Sequence, residues 1–96
     1  MIRHICMFTL KEENKEKNII EFFKRAEKLN ELKIIKQFNI VRNAEKTPDS
    51  NYDVALIFDF DTIETLDEYQ NSQQHIEFAE FVYSIRDKRA CIDYEI

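Results

Sequence analysis

Ile2, His4, Cys6, Phe8 and Leu10 alternate with Arg3, Ile5, Met7 and Thr9, and both series are rich in apolar residues. A period of two marks a strand, and apolar residues on both sides predict cover on both faces. After the polar run Lys11 to Asn18 the spacing changes. Ile19, Phe22, Phe23, Ala26 and Leu29 recur at helical intervals, which predicts a helix from about Glu13 to about Asn30, with Asn14 as its N-cap. Ile34 to Val41 reads as a second strand, and Pro48, Asp49 and Ser50 mark a loop over Asn43 to Asn51. Tyr52 to Phe60 reads as a third strand, with Tyr52, Val54, Leu56, Phe58 and Phe60 on one face and Asp53, Ala55, Ile57 and Asp59 on the other. Asp61-Thr62-Ile63-Glu64 reads as a capping box that opens a helix carrying Ile63, Leu66 and Tyr69. That helix weakens at Asn71-Ser72, and Ser72 caps a further segment with His75, Phe78, Ala79 and Val82 on one side. Ala90 to Ile96 reads as the last strand.

Strand, helix, strand, strand, helix, strand is the ferredoxin-like βαββαβ order of an α+β fold: a four-stranded antiparallel sheet with helices on one face. Residues 1–96 form one domain on this reading. The helices leave the other sheet face bare, with Ile5, Met7, Ile35, Val41, Ala55 and Ile57 on it. A bare apolar face implies a partner, and the simplest is a second copy around a two-fold axis.

Composition narrows the function. The chain has no glycine, so neither a phosphate-binding P-loop nor a dinucleotide fingerprint can be built. It is acidic, with a net charge of −5 and no basic stripe, so no nucleic-acid partner is expected. No apolar run approaches a bilayer span and the first residues do not read as a secretory signal, so no membrane partner and a cytoplasmic location are expected. In that compartment Cys6 and Cys91 are expected to be free thiols on neighbouring strands.

Several segments together resemble the stress-responsive A/B barrel domain family, dimeric α+β barrels of this topology. They are Ile2-Arg3-His4-Ile5-Cys6-Met7-Phe8-Thr9-Leu10-Lys11, Tyr52-Asp53-Val54-Ala55-Leu56, Leu66-Asp67-Glu68-Tyr69-Gln70 with His75 six residues after Tyr69, and Ile92-Asp93-Tyr94. The family often carries His-Pro-x-His before its second helix; Ser72-Gln73-Gln74-His75 keeps only the second histidine. One plant member is a polyketide cyclase that closes a ring by intramolecular aldol condensation, in a pocket between sheet and helices. The resemblance implies His75 and Tyr69 as its acid–base groups, His4 as a further pocket histidine, and Phe22 and Phe23 as pocket phenylalanines. A third pocket histidine is replaced by Val54.

The implied function is a homodimer that binds a small apolar or aromatic ligand, with a cofactor-free cyclase or isomerase as its sharper form. Catalytic candidates are His75, Tyr69 and His4; the expected lining is Cys6, Phe8, Phe22, Phe23, Leu56, Phe58, Phe78 and Cys91. Other readings stand beside this one. His4 reads first as a half-buried strand histidine with a local hydrogen bond, ahead of a catalytic role, and His75 reads equally as a helix N-terminal residue in a cap contact. Phe22 and Phe23 read as core. Related dimeric barrels degrade haem or oxidise aromatic polyketides, although the haem-degrading ones use a Trp that this chain lacks. A non-catalytic interaction module is a third class. The spacing of His4, Cys6, His75 and Cys91 matches no zinc motif, so no metal is expected.

Overall fold

The computed structural model describes residues 1–96. Its elements are β1 (Ile2–Leu10), α1 (Lys15–Glu27), β2 (Gln37–Arg42), β3 (Val54–Phe60), α2 (Ile63–Gln70), α3 (Gln73–Ile85) and β4 (Arg86–Glu95). The strands form one antiparallel sheet in the order β2-β3-β1-β4, and the fold is ferredoxin-like. No helix is long and apolar enough to cross a membrane.

Residue parity decides what each sheet face carries. Ile2, His4, Cys6, Phe8 and Leu10 of β1 are buried under the helices, as are Val54, Leu56, Phe58 and Phe60 of β3. Phe22 and Ala26 from α1, Tyr69 from α2, and Phe78 and Val82 from α3 close the core over them. The opposite face has no cover within the chain. Ile5, Met7, Val41, Ala55 and Ile57 lie on it, joined by Ile92 and Tyr94, which are paired in register with Ile5 and Arg3. Ile92 is 60% exposed, a high value for an isoleucine inside a sheet. Among these apolar residues sits one ion pair. Arg3 donates Nε and Nη2 to the two carboxylate oxygens of Asp59 at 2.8 and 2.9 Å, straight across the β1–β3 pair.

The boundaries depart from the sequence reading at points with local causes. Asn14 does precede α1, but it takes a left-handed conformation (φ 59°) and its side chain caps nothing, so the helix begins at Lys15. After Glu27 the helix tightens into a 3₁₀ turn over Lys28–Glu31. A further turn, Ile35 N–H to the Leu32 carbonyl, precedes β2, which therefore starts at Gln37. That turn sends Ile35 into the core, off the bare face where the period-two reading put it. The capping box of α2 lies one residue later than expected. Thr62 Oγ1 accepts from Thr65 N–H, and Thr65 Oγ1 accepts from Thr62 N–H. Ser72 caps α3 as expected. The last strand begins at Arg86, because α3 runs directly into β4 without a loop.

Candidate functional site

A cavity of about 230 Å³ lies between the helix-facing side of the sheet and helices α2 and α3. β1 contributes His4, Cys6 and Phe8, β3 contributes Leu56, and α2 contributes Tyr69 and Gln70. α3 contributes His75, Phe78, Ala79, Val82 and Tyr83, and β4 contributes Arg86 and Arg89. An apolar cavity of roughly 150 Å³ holds a benzene ring, so this space suits a small ring with substituents.

The α2–α3 junction sets the angle between Tyr69 and His75. Ser72 Oγ donates to the Tyr69 carbonyl at 2.7 Å and accepts from the His75 N–H at 3.2 Å. One hydroxyl thus ties the last turn of one helix to the first turn of the next. The two rings end 4.8 Å apart, edge to face. Tyr69 is fully buried, wedged against Phe58 and Phe60, with the ring of His4 6.4 Å away. His4 is also buried, and its Nδ1 lies 2.5 Å from Oδ1 of Asp93 on β4.

Two polar atoms at this site have no hydrogen-bond partner, Tyr69 Oη and His75 Nδ1, and both are buried. Their surroundings push their titration in useful directions. Burial holds the Tyr69 phenol well above the usual range, so it stays protonated. Burial also lowers the proton affinity of His75; the Gln70 carbonyl opposes this, and the charges of His4 and Arg89 reinforce it. A neutral imidazole and a protonated phenol therefore meet in one apolar space at neutral pH.

The structure brings His4, Tyr69, His75, Cys6, Phe8, Leu56 and Phe78 to this cavity. It leaves Phe22, Phe23, Phe58 and Cys91 outside the lining. Phe22 packs edge to face on Phe8 and Phe23 and tilts against Phe78, and Phe58 stacks on Phe38 at 4.8 Å. These rings form the wall behind the cavity. Val54 is buried opposite Phe8 in register.

The expectation of free thiols is overturned: Cys6 and Cys91 form a disulfide. They are direct cross-strand partners in the β1–β4 register, with Cα atoms 4.2 Å apart, and adjacency alone brings their sulfurs together. The ligating atoms of His4, Cys6 and Cys91 lie within 4.8 Å of one another, but two bonded sulfurs are not thiolates and offer a metal little.

Sequence reasoning missed Asp93, Gln70, Arg86 and Arg89. Arg89, Cys91 and Asp93 share one face of β4 opposite Phe8, Cys6 and His4, a signal that exists only once the register is known.

The sequence profile of the stress-responsive A/B barrel domain family matches residues 2–96. No curated protein matches the chain in sequence. Among solved structures, a dimeric ferredoxin-like protein of unknown function from Thermobifida fusca superimposes with a TM-score of 0.90 at 19% identity, covering 99% of this chain and 90% of that one. A family member from Mesorhizobium loti gives 0.83 at 24% identity, covering 99% and 95%. A hydroxynitrile lyase from Passiflora edulis gives 0.86 at 17% identity, covering 99% and 92%.

Proposed function

The chain belongs to the stress-responsive A/B barrel domain family, and from that premise we propose that it is a homodimer that binds a small apolar or aromatic carbonyl compound between sheet and helices and moves a proton on it. The carrying observation is the pair of unpartnered buried atoms, Tyr69 Oη and His75 Nδ1. A buried polar group left unpaired costs about 1–3 kcal/mol, and native proteins hold few of them. Two at one cavity are explained if a ligand supplies their partners.

In this reading His75 Nδ1 is the base. It accepts a proton from the carbon beside the ligand's carbonyl, while the Tyr69 hydroxyl donates a hydrogen bond to the oxygen on which negative charge develops. The resulting carbon nucleophile can close a ring on a second carbonyl of the same molecule, or take its proton back at another position. One neighbour of this fold is named a hydroxynitrile lyase, and cleavage of a hydroxynitrile also calls for a base, there for a hydroxyl proton. The second copy seats on the bare sheet face, and the Thermobifida fusca neighbour is described as dimeric.

Acetophenone tests the reading without knowledge of the natural substrate. In D2O the protein should accelerate exchange of its methyl protons, followed by proton NMR. His75→Ala and Tyr69→Phe should each lower the rate by about 10²–10⁴-fold while leaving the far-UV spectrum unchanged. Exchange no faster than in buffer, or equal rates in wild type and His75→Ala, removes the acid–base assignment.

A further inference from the structure

The five arginines divide into two groups. Arg3 is paired with Asp59, Arg25 with Glu21 and Arg42 with Glu16. Arg86 and Arg89 have no carboxylate within ion-pair distance and no side-chain hydrogen bond, although the chain carries an excess of acid. Both line the cavity that holds Tyr69 and His75. Arg86 is half-buried, with its guanidinium 5.2 Å from the Tyr83 ring, another lining side chain, which restricts where its charge can go. Arg89 projects from the helix-facing side of β4, opposite Phe8. In an acidic protein, the two unmatched guanidinium groups thus meet at one apolar cavity.

We propose that Arg86 and Arg89 form an anion site at the mouth of this cavity and that its ligand is a small carboxylate with an aromatic or branched apolar body. This rests on the proposed function for the deep end of the cavity and adds the chemistry of its outer end. Guanidinium groups offer planar forked donors that match a carboxylate, and a positive rim draws an anion towards the opening. The orientation follows. The carboxylate stays with the arginines, the apolar body fills the space beside Phe8, Leu56 and Phe78, and the carbonyl to be activated meets Tyr69 and His75. The substrate class is therefore a keto acid whose reacting carbonyl is remote from its carboxylate.

Two probes of nearly one shape carry the test: acetophenone and 4-acetylbenzoate. In wild-type protein, calorimetry or NMR titration should show 4-acetylbenzoate binding about tenfold or more tightly than acetophenone. The preference should shrink as salt rises from 20 mM to about 0.5 M, as expected for charges near solvent. In the Arg86→Gln/Arg89→Gln double variant the ratio of the two dissociation constants should approach one. Arg86→Lys/Arg89→Lys, which keeps the charge, should retain part of it. Equal affinities in wild type, a preference that survives the glutamine variant, or binding of neither probe overturns the proposal. Arginine-dependent binding of 4-acetylbenzoate with no methyl-proton exchange in acetophenone leaves the anion site standing and removes the acid–base reading instead.

Discussion

Asp93 faces His4 directly across the β1–β4 pair, and its carboxylate meets Nδ1 of the imidazole. An ionised carboxylate only accepts, so Nδ1 carries the proton and donates it, which leaves Nε2 as the free nitrogen of the ring. Nitrogen-15 NMR of the two histidines should show His4 protonated at Nδ1 in its neutral form. Asp93→Asn should lose that preference and destabilise the fold by about 1 kcal/mol, a modest value because Asp93 is partly solvated. An unchanged nitrogen spectrum in the variant counts against the pairing.

The bare sheet face predicts the response to a single charge. Ile57 lies at its centre, opposite Ile5 in register. Ile57→Lys places an ammonium where the second subunit would seat, with no carboxylate to match it. Sedimentation at micromolar concentration should show a wild-type dimer and a variant shifted to monomer. A wild-type monomer that stays folded at high concentration refutes the dimer.

The Cys6–Cys91 disulfide ties the edge strand β4 to β1 next to the cavity. Denatured, non-reduced protein should show no free thiol. Reduction should lower stability by about 2–4 kcal/mol, read from urea unfolding with and without dithiothreitol. Two titratable thiols in the oxidised sample contradict the bond.

His75 gives the pH dependence its sign. Burial lowers its proton affinity in the folded state below the ordinary value of 6.5. On acidification the unfolded chain takes up this proton first, so stability falls as pH drops from about 6.5 towards the lower folded value and levels off beneath it. Urea unfolding at pH 7.5 and 5.5 should show the loss, and His75→Gln should reduce it. The same shift keeps the base neutral, so the acid limb of any proton-exchange activity should lie below pH 6.5. An acid limb at or above that value argues for another base.

How much the sequence revealed varied with the range of the interaction involved. Parity along β1 and β3 was legible because alternation of Ile2, His4, Cys6 and Phe8, or of Val54, Leu56 and Phe58, is local and each strand buries one face. The Ser72 cap was legible for the same reason. Ile35 was misplaced because its face depends on a turn formed with Leu32, where period two does not apply. The Asp61–Glu64 box lost to Thr62–Thr65 because both satisfy the same spacing and only backbone geometry chooses between them. At the site, His4, Tyr69 and His75 were named through the family resemblance, and the three side chains line one cavity. Asp93, Arg86 and Arg89 were not named, because their roles depend on strand register. Phe22 and Phe23 were drawn in by resemblance, but they pack one layer behind the cavity.

Every residue around the cavity belongs to a strand or a helix, and none belongs to a loop. The chain has no glycine hinge, and its two residues at positive φ, Asn14 and Lys46, do not line the cavity. Loop closures are what make many enzymes bind in two kinetic phases, on the μs–ms scale. Here the wall of the cavity is built of the fold itself. A ligand of this cavity should arrive in one step, with an observed rate that rises linearly with concentration and no plateau.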